Sequence, residues 1–356
     1  MLRKIPQLLG SVFKVEKRII LIAFIVALMV LFYRSESDLS ASSQQTYADP
    51  KRTAFVEASK KLTAGSNWTP KGYGSGEYLE TIPRIKAGAV IDFDSGEVIW
   101  SQNLKNRISP ASITKVATVM TALDIASKDK VISVSVKAAE QIPTKLGLEF
   151  GERLTLEEAI KASMLTSAND AAEAIADYLG SDIGDGSGAF MNLVNLKLEK
   201  IGALDSNFET PTGLDGNNHY STVYDLAILA HEAKANYPFI NQIASSEYIR
   251  LAPNGNHRLF DLPNWNALLG TYPGVDGLKI GYTENAGHVT AVTAEREGKK
   301  LIVIVIGAKS LEDREIAAAT LLNYGFEKRG VEPYSVDDLD LVERFQDWKR
   351  QLTMLP

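Results

Sequence analysis

The chain has 356 residues, of which 45% are hydrophobic and 23% are charged; these fractions are typical of a soluble globular protein with one large domain or two ordinary ones. Its formal net charge of −6 argues against nucleic-acid binding, because that function requires a basic surface. The absence of cysteine excludes disulfides, thiol catalysis and cysteine-ligated zinc. The four histidines do not cluster in a metal-binding pattern, so we expect neither a metal nor another cofactor.

The N-terminal region is predicted to be a membrane anchor. Residues 1–18 carry five Lys or Arg and one Glu, and residues 19–33 form an uninterrupted apolar run. This charge distribution predicts a cytoplasmic segment 1–18, a transmembrane signal anchor 19–33 and an extracytoplasmic remainder held at the cytoplasmic membrane. Cleavage around residues 40–48 is the alternative. Residues 34–80 are rich in Ser, Gln, Thr, Gly and Pro, which predicts a linker with one short helix around 53–62.

The remaining chain alternates between strand and helix patterns. Strand-like runs occur early and late, at residues 87–91, 97–101, 277–282 and on both sides of a turn at Gly298. A largely helical middle separates them, in which Thr155 and Glu158 form a predicted capping box. A last amphipathic helix is expected at about 312–325. This order predicts an α/β (α+β) domain over residues 81–331, with an antiparallel sheet flanked by helices and a helical subdomain, followed by a charged tail at 332–356.

A buried helix beginning near Ala111 carries the first candidate site. Ser112 and Lys115 lie three residues apart in its first turn, so both side chains share one face. A serine becomes a nucleophile when a base accepts its proton, and a lysine can be that base if burial or a nearby cation lowers its pKa. The apolar pattern of this helix predicts that Lys115 is removed from water; a capping Ser with a Lys that reaches the surface is the alternative. The same spacing occurs twice more, at Ser11/Lys14 and Ser127/Lys130.

Two further motifs follow in order, Ser-Ala-Asn at 167–169 on a turn between predicted helices and Lys-Ile-Gly at 279–281 on a predicted strand. Within PASITK, MLTSANDAAEAIAD and GVDGLKIGYTENAG, the three motifs resemble those of the serine D-alanyl-D-alanine carboxypeptidases. These are low-molecular-mass penicillin-binding proteins of the penicillin-recognising, serine β-lactamase-like fold. The resemblance covers roughly residues 82–325.

The resemblance implies a serine D,D-peptidase that acts on peptidoglycan stem peptides in the cell wall and is inhibited covalently by β-lactams. Ser112 would be the nucleophile that forms an acyl-enzyme, and Lys115 would be its base. Ser167 would relay a proton to the leaving D-alanine.

Five further residues would bind the substrate. Asn169 would contact its backbone, and Lys279 would lower the pKa of Lys115 and attract the substrate carboxylate. Gly281 would keep the strand clear for a peptide laid along it, and the backbone N–H groups of Ser112 and Tyr282 would form the oxyanion hole. Ile280 departs from the family, which usually has Thr or Ser there.

Ile280 leaves two alternatives to a carboxypeptidase open. A lost hydrogen bond to the carboxylate could weaken carboxypeptidase activity about ten- to a hundredfold, which would favour a D,D-endopeptidase acting on cross-links. A non-catalytic binder of peptidoglycan or β-lactam is the alternative from another class. A β-lactamase is disfavoured, since no Glu-x-x-Leu-Asn stretch follows the Ser-Ala-Asn motif.

Overall fold

The computed structural model of the protein describes residues 49–335, 340, 341 and 343–346. From Lys51 onward these residues belong to one compact unit. The predicted cytoplasmic segment 1–18 and anchor 19–33 lie outside the described residues. Within the described part of the chain, no helix is both long and apolar enough to cross a membrane.

Within the described residues, nine strands form one large sheet and two two-stranded sheets. In chain order they are β1 (Ala87–Asp92), β2 (Val98–Gln102), β3 (Val131–Ser133), β4 (Arg153–Thr155), β5 (Tyr248–Leu251), β6 (Phe260–Pro263), β7 (Val275–Thr283), β8 (Gly287–Arg296) and β9 (Lys299–Ala308). The five-stranded sheet has the order β2-β1-β9-β8-β7 and is antiparallel throughout. Strands β3 and β4 form one antiparallel pair, with a short helix, Val136–Ala139, between them in the chain, and β5 and β6 form the other. Strand β7 therefore lies at an edge of the large sheet.

One helix lies before the described strands, and the others lie between and after them. They are α1 (Pro50–Lys61), α2 (Thr114–Ile125), α3 (Val136–Ala139), α4 (Leu156–Leu165), α5 (Asn169–Ser181), α6 (Ser187–Ile201), α7 (Val223–Asn236), α8 (Pro238–Ala244) and α9 (Leu311–Glu327). The predicted capping box at Thr155 and Glu158 is confirmed at the start of α4. A 3-10 turn, Ala111–Ile113, leads directly into α2.

Both faces of the sheet are covered, because alternate side chains of its central strands enter two different cores. In β9, Ile302, Ile304 and Ile306 pack into the core shared with α2 and the helical middle of the chain. Their neighbours Val303 and Val305 pack against α9 on the opposite face. The predicted α/β (α+β) class, an antiparallel sheet with helices on its faces and a helical region, is confirmed.

The segment before β1 differs from the linker predicted for residues 34–80. Helix α1 buries Ala58, and Leu62 follows it into the same small core with Leu193 of α6. The amide of Ser75 donates to the carbonyl of Ile99 at 3.0 Å, along the outer strand β2. From Lys51 onward the segment is thus packed on the compact unit, because its few apolar side chains find partners there.

Candidate active site

The 3-10 turn before α2 brings Ser112 and Lys115 together. Nζ of Lys115 lies 2.9 Å from Oγ of Ser112. Every residue from Thr114 to Ala122 is buried, and the Lys115 side chain has no exposed surface. The surface-lysine alternative is therefore wrong for this pair.

The other two Ser-x-x-Lys pairs do not share this environment. Ser127 is exposed, and Lys130 is partly exposed with an ion pair of 2.9 Å to Asp182. Exposure and a carboxylate partner therefore distinguish this pair from the buried Ser112/Lys115 pair. The Ser11/Lys14 pair lies outside the described residues.

Lys115 has two further partners, and neither can give it a proton. Its Nζ donates to Oδ1 of Asn169 at 2.8 Å and to the backbone carbonyl of Thr212 at 2.6 Å. The amide orientation of Asn169 is fixed because its Nδ2 donates to the carbonyl of Ile142 at 2.9 Å. A neutral amine has two N–H bonds and one lone pair, so the lone pair is left facing Ser112. Asn169 is the first residue of α5 and does not cap that helix, whose N-cap is Ala168.

Burial and a second lysine both favour the neutral form of Lys115. Its pKa lies well below the usual lysine value, chiefly because of desolvation and secondly because of the positive charge of Lys279, which Asp170 opposes in part. Asp170 accepts the amides of Leu146 and Leu148, which is a structural role.

Lys279 lies on β7 and is itself buried. Its Nζ donates to the carbonyl of Ile280 at 3.1 Å, and among the described residues it forms no ion pair. Burial, followed by the charge of Arg314, lowers the pKa of Lys279 to about 7. The two lysines thus form a coupled pair in which a proton on one disfavours a proton on the other.

Ser167 lies on the turn between α4 and α5 in a left-handed conformation, with φ +58. This conformation is uncommon for a residue other than glycine and points to a local constraint. The side chain is buried, yet within the described part of the chain its Oγ has no hydrogen-bond partner. A hydroxyl held this way is available to a ligand in the cavity.

Strand β7 runs directly past the serine. A Cβ atom added to Gly281 would lie 2.7 Å from the backbone nitrogen of Ser112, which is closer than real Cβ contacts. Glycine is therefore required at this position. Ile280 is half-buried, whereas Tyr282 is 51% exposed and its ring packs on His288 with 4.6 Å between centroids.

These elements enclose a cavity of about 580 Å³. The residues around it include all the predicted site residues except the two lysines, which are buried. Its lining contains Ser112, Pro143, Thr144, Ser167, Asn169, Thr212, Gly213, Leu214, Trp265, Ile280, Gly281, Tyr282, Thr283, His288, Leu311, Arg314 and Phe345. No group of three or more His, Asp or Glu side chains suited to a metal occurs among the described residues.

Sequence reasoning missed two supports of this site. The loop that supplies the Thr212 carbonyl is held by His219, whose Nδ1 accepts the amide of Glu209 at 3.0 Å and whose Nε2 lies 2.9 Å from Oγ1 of Thr114. Burial lowers the pKa of His219 to about 4, so the ring is neutral at neutral pH. Gly213 has φ +82, and a Cβ there would lie 2.0 Å from the carbonyl oxygen of Ala111. The only signal was the stretch TPTGLDGNNHYS, which contains both residues.

Arg314 is the second missed support. It lies on α9, is 1% exposed and lines the cavity. Its guanidinium pairs with Glu315 and donates through Nη2 to the carbonyl of Trp265 at 3.3 Å. Among the described residues these bonds use Nε and Nη2, so Nη1 can donate to a ligand.

Comparison with known proteins gives a consistent result. Residues 78–310 match the D-alanyl-D-alanine carboxypeptidase family. D-alanyl-D-alanine carboxypeptidase DacF of Bacillus subtilis is 31% identical over 261 residues, which cover 71% of this chain and 65% of DacF. The chain thus spans slightly less than two thirds of the length of this curated relative.

Solved structures give the same fold. Penicillin-binding protein D2 of Listeria monocytogenes, in its cefotaxime-bound form, has a TM-score of 0.61 and 28% identity, covering 71% of this chain and 99% of that one. The Streptomyces K15 DD-transpeptidase has a TM-score of 0.64 and 25% identity, covering 69% and 99%. With the family match extending over more than half of its length, the chain belongs to the D-alanyl-D-alanine carboxypeptidase family.

Proposed function

We propose that the protein is a serine D,D-carboxypeptidase that releases the terminal D-alanine of peptidoglycan stem peptides through an acyl-enzyme on Ser112. The observation that carries the proposal is the environment of Lys115. This buried amine lies 2.9 Å from the serine Oγ, and both of its other partners are acceptors. Family membership supports the choice of substrate.

Acylation begins when Oγ of Ser112 attacks the carbonyl carbon of the D-Ala–D-Ala amide and its proton passes to the lone pair of Lys115. The backbone N–H groups of Ser112 and Tyr282 stabilise the charge on the carbonyl oxygen, and the close approach at Gly281 brings these two backbones together. The amide C–N bond then breaks. Ser167 relays the proton to the leaving nitrogen, and D-alanine departs.

Deacylation regenerates the serine. A water molecule adds to the ester carbonyl, the bond to Ser112 Oγ breaks and the proton returns to that oxygen, with Lys115 again accepting and giving the proton. Asn169 keeps the lysine oriented and contacts the substrate backbone. Lys279 keeps the pKa of Lys115 low by like-charge repulsion.

Arg314 is proposed to bind the carboxylate of the leaving D-alanine. Ile280 provides no hydroxyl for that carboxylate, whereas Arg314 lines the same cavity and uses Nε and Nη2, not Nη1, in its bonds to Glu315. A charge-assisted bond from arginine is stronger than one from a neutral hydroxyl. This arrangement supports a carboxypeptidase despite Ile280.

The test is intact-mass analysis of the full-length chain incubated with penicillin, followed by a D-alanine release assay on a stem pentapeptide. We expect an adduct in the wild type and in Ser127→Ala, which removes the exposed Ser-x-x-Lys serine, and none in Ser112→Ala. We also expect D-alanine release that Ser112→Ala abolishes. The absence of an adduct on the folded wild type would refute the serine-enzyme proposal and favour a non-catalytic binder.

Ile280 gives one specific reason to test a second activity, a D,D-endopeptidase that cleaves cross-links without a free terminal carboxylate. The same enzyme preparation is therefore incubated with a purified cross-linked stem-peptide dimer. Cleavage of the dimer without D-alanine release from the pentapeptide would establish the endopeptidase instead.

The N-terminal run 19–33 is proposed to anchor the protein in the cytoplasmic membrane with residues 1–18 inside and the enzymatic domain outside. The charge distribution around the run supports this orientation. Intact-mass analysis of protein extracted from membranes tests it: retention of residues 1–48 indicates an uncleaved anchor, and a mass beginning within 40–48 indicates cleavage. Protection of the domain from external protease in spheroplasts would refute the orientation.

A further inference from the structure

The described part of the C-terminal tail returns to the candidate active site. Leu341 is buried in the core between the sheet and α9, and Phe345 packs against the same core. Arg344 forms an ion pair with Glu247, with 2.7 Å between Nη1 and Oε2. An apolar contact and an ion pair thus fix this short helical piece, and Phe345 lines the same cavity as Ser112.

Phe345 and Arg314 line the same cavity. Leu311 and Arg314 are three residues apart on α9 and therefore occupy one face of that helix. Arg314 donates to the carbonyl of Trp265, and both Trp265 and Leu311 line the cavity with Phe345. Trp265 and Phe345 also pack against the same core. From these shared contacts we place Trp265, Leu311 and Phe345 beside Arg314, on what we call the cationic side of the cavity.

In the reaction proposed above, this side receives the leaving group. The scissile carbonyl must lie between Oγ of Ser112 and the N–H groups of Ser112 and Tyr282. The carboxylate of the residue being released then points towards Arg314, the one cationic side chain among the described residues that line the cavity. Atoms beyond that carboxylate, or a side chain larger than methyl, would meet the apolar side chains there.

We propose that Phe345, with Trp265 and Leu311, forms the end wall of the leaving-group side and restricts the enzyme to small leaving residues such as D-alanine. The inference rests on the proposed carboxypeptidase function and names the tail as its specificity determinant. The wall excludes cross-linked stem peptides, because their leaving group continues past the position that a terminal carboxylate occupies. Phe345 has no part in the proton transfers and acts only through the size of the site.

The experiment compares two stem peptides that differ only in the leaving residue, one ending in D-Ala-D-Ala and one in D-Ala-D-Leu. The full-length wild type, Phe345→Ala, Phe345→Leu and the neighbouring control Gln346→Ala are assayed for kcat/KM on both, and for the rate of acylation by penicillin. Gln346 is exposed and does not line the cavity. Since a pocket discriminates about 10- to 200-fold per methylene, Phe345→Ala should raise the D-Leu to D-Ala ratio about tenfold or more.

We expect Phe345→Leu to give an intermediate ratio, Gln346→Ala to match the wild type, and penicillin acylation to stay within about threefold of the wild type in all variants. An unchanged ratio of D-Leu to D-Ala release in Phe345→Ala would refute the proposal that Phe345 limits the size of the leaving residue. Equal losses on both peptides and on penicillin, in a variant that unfolds at the wild-type temperature, would also overturn it, since Phe345 would then support the site generally. Failure of the wild type to react with penicillin or release D-alanine would instead overturn the proposed function.

Discussion

Replacing Asn169 by Asp tests whether the protonation of Lys115 controls acylation. The change is isosteric and places a negative charge 2.8 Å from Nζ of Lys115. At an effective dielectric constant of 20, Coulomb's law gives an upper limit of about 6 kcal/mol for that pair. Opposite charges at such distances usually raise a lysine pKa by about 1–3 units. Because the base must be neutral, acylation at neutral pH should fall about 10- to 1,000-fold and recover as the pH is raised.

The assay is the second-order rate of penicillin acylation, measured by intact mass from pH 5 to pH 10. The rising limb of the profile should move to higher pH in Asn169→Asp and stay in place in Asn106→Asp, an isosteric change at an exposed position. Thermal unfolding serves as a second control, since loss of the Nδ2 bond to Ile142 costs about 1–3 kcal/mol. A profile that is lowered at every pH without a shift would refute the role of Lys115 as the base.

Three further substitutions have defined outcomes. Ile280→Thr should raise kcat/KM for D-alanine release about 10- to 100-fold, because a new hydrogen bond to the substrate carboxylate contributes about 1.5–3 kcal/mol. Ile280→Val is the apolar control, and equal kcat/KM values for the two variants would contradict the prediction. Gly281→Ala places a Cβ 2.7 Å from the Ser112 nitrogen, so the rate of penicillin acylation should fall at least about 100-fold. Acylation at the wild-type rate would contradict this prediction and show that β7 can move away from Ser112. His219 has a folded pKa of about 4 against 6.5 for an ordinary histidine, so its stabilising contribution is complete above pH 6.5 and is lost as the pH falls towards 4. This loss amounts to about 3 kcal/mol. Between pH 6.5 and pH 4, the free energy of unfolding measured in urea should therefore fall less in His219→Gln than in the wild type. An equal fall in the two proteins would contradict the prediction.

Local sequence patterns were sufficient to predict the helices and strands that carry the motifs. The three-residue spacing of Ser112 and Lys115 determines that they share a helical face, and the apolar run that follows determines that the face is buried. The capping box at Thr155 and Glu158 satisfies backbone groups within one turn, so it too depends on local sequence alone. The five strands of the large sheet and the last helix were predicted for the same reason, whereas the short strands β3 to β6 were not predicted.

Long-range contacts could not be predicted in this way. Arg314 lies in a helix whose first turn is acidic and resembles a surface residue, and its burial depends on Glu315 and on the carbonyl of Trp265, 49 residues away. The contact between Lys115 and the Thr212 carbonyl spans 97 residues. The central place of β9 between β1 and β8 likewise depends on pairing that no local pattern specifies. Residues 51–80 have the composition of a linker, but a few apolar contacts are enough to hold them on the domain.

The burial of two lysines is costly, and that cost is what makes the site reactive. Moving a charged amine out of water without a paired carboxylate costs several kcal/mol, and in proteins the group usually responds by losing its proton. Lys279, with a pKa near 7 in place of 10.5, destabilises the fold fully below pH 7, and this destabilisation is relieved as the pH rises from 7 towards 10.5. Carboxylate partners would remove the penalty but would also keep both amines charged. The site therefore uses neutral acceptors, Asn169 and the Thr212 carbonyl, which orient Lys115 without raising its pKa as a carboxylate would.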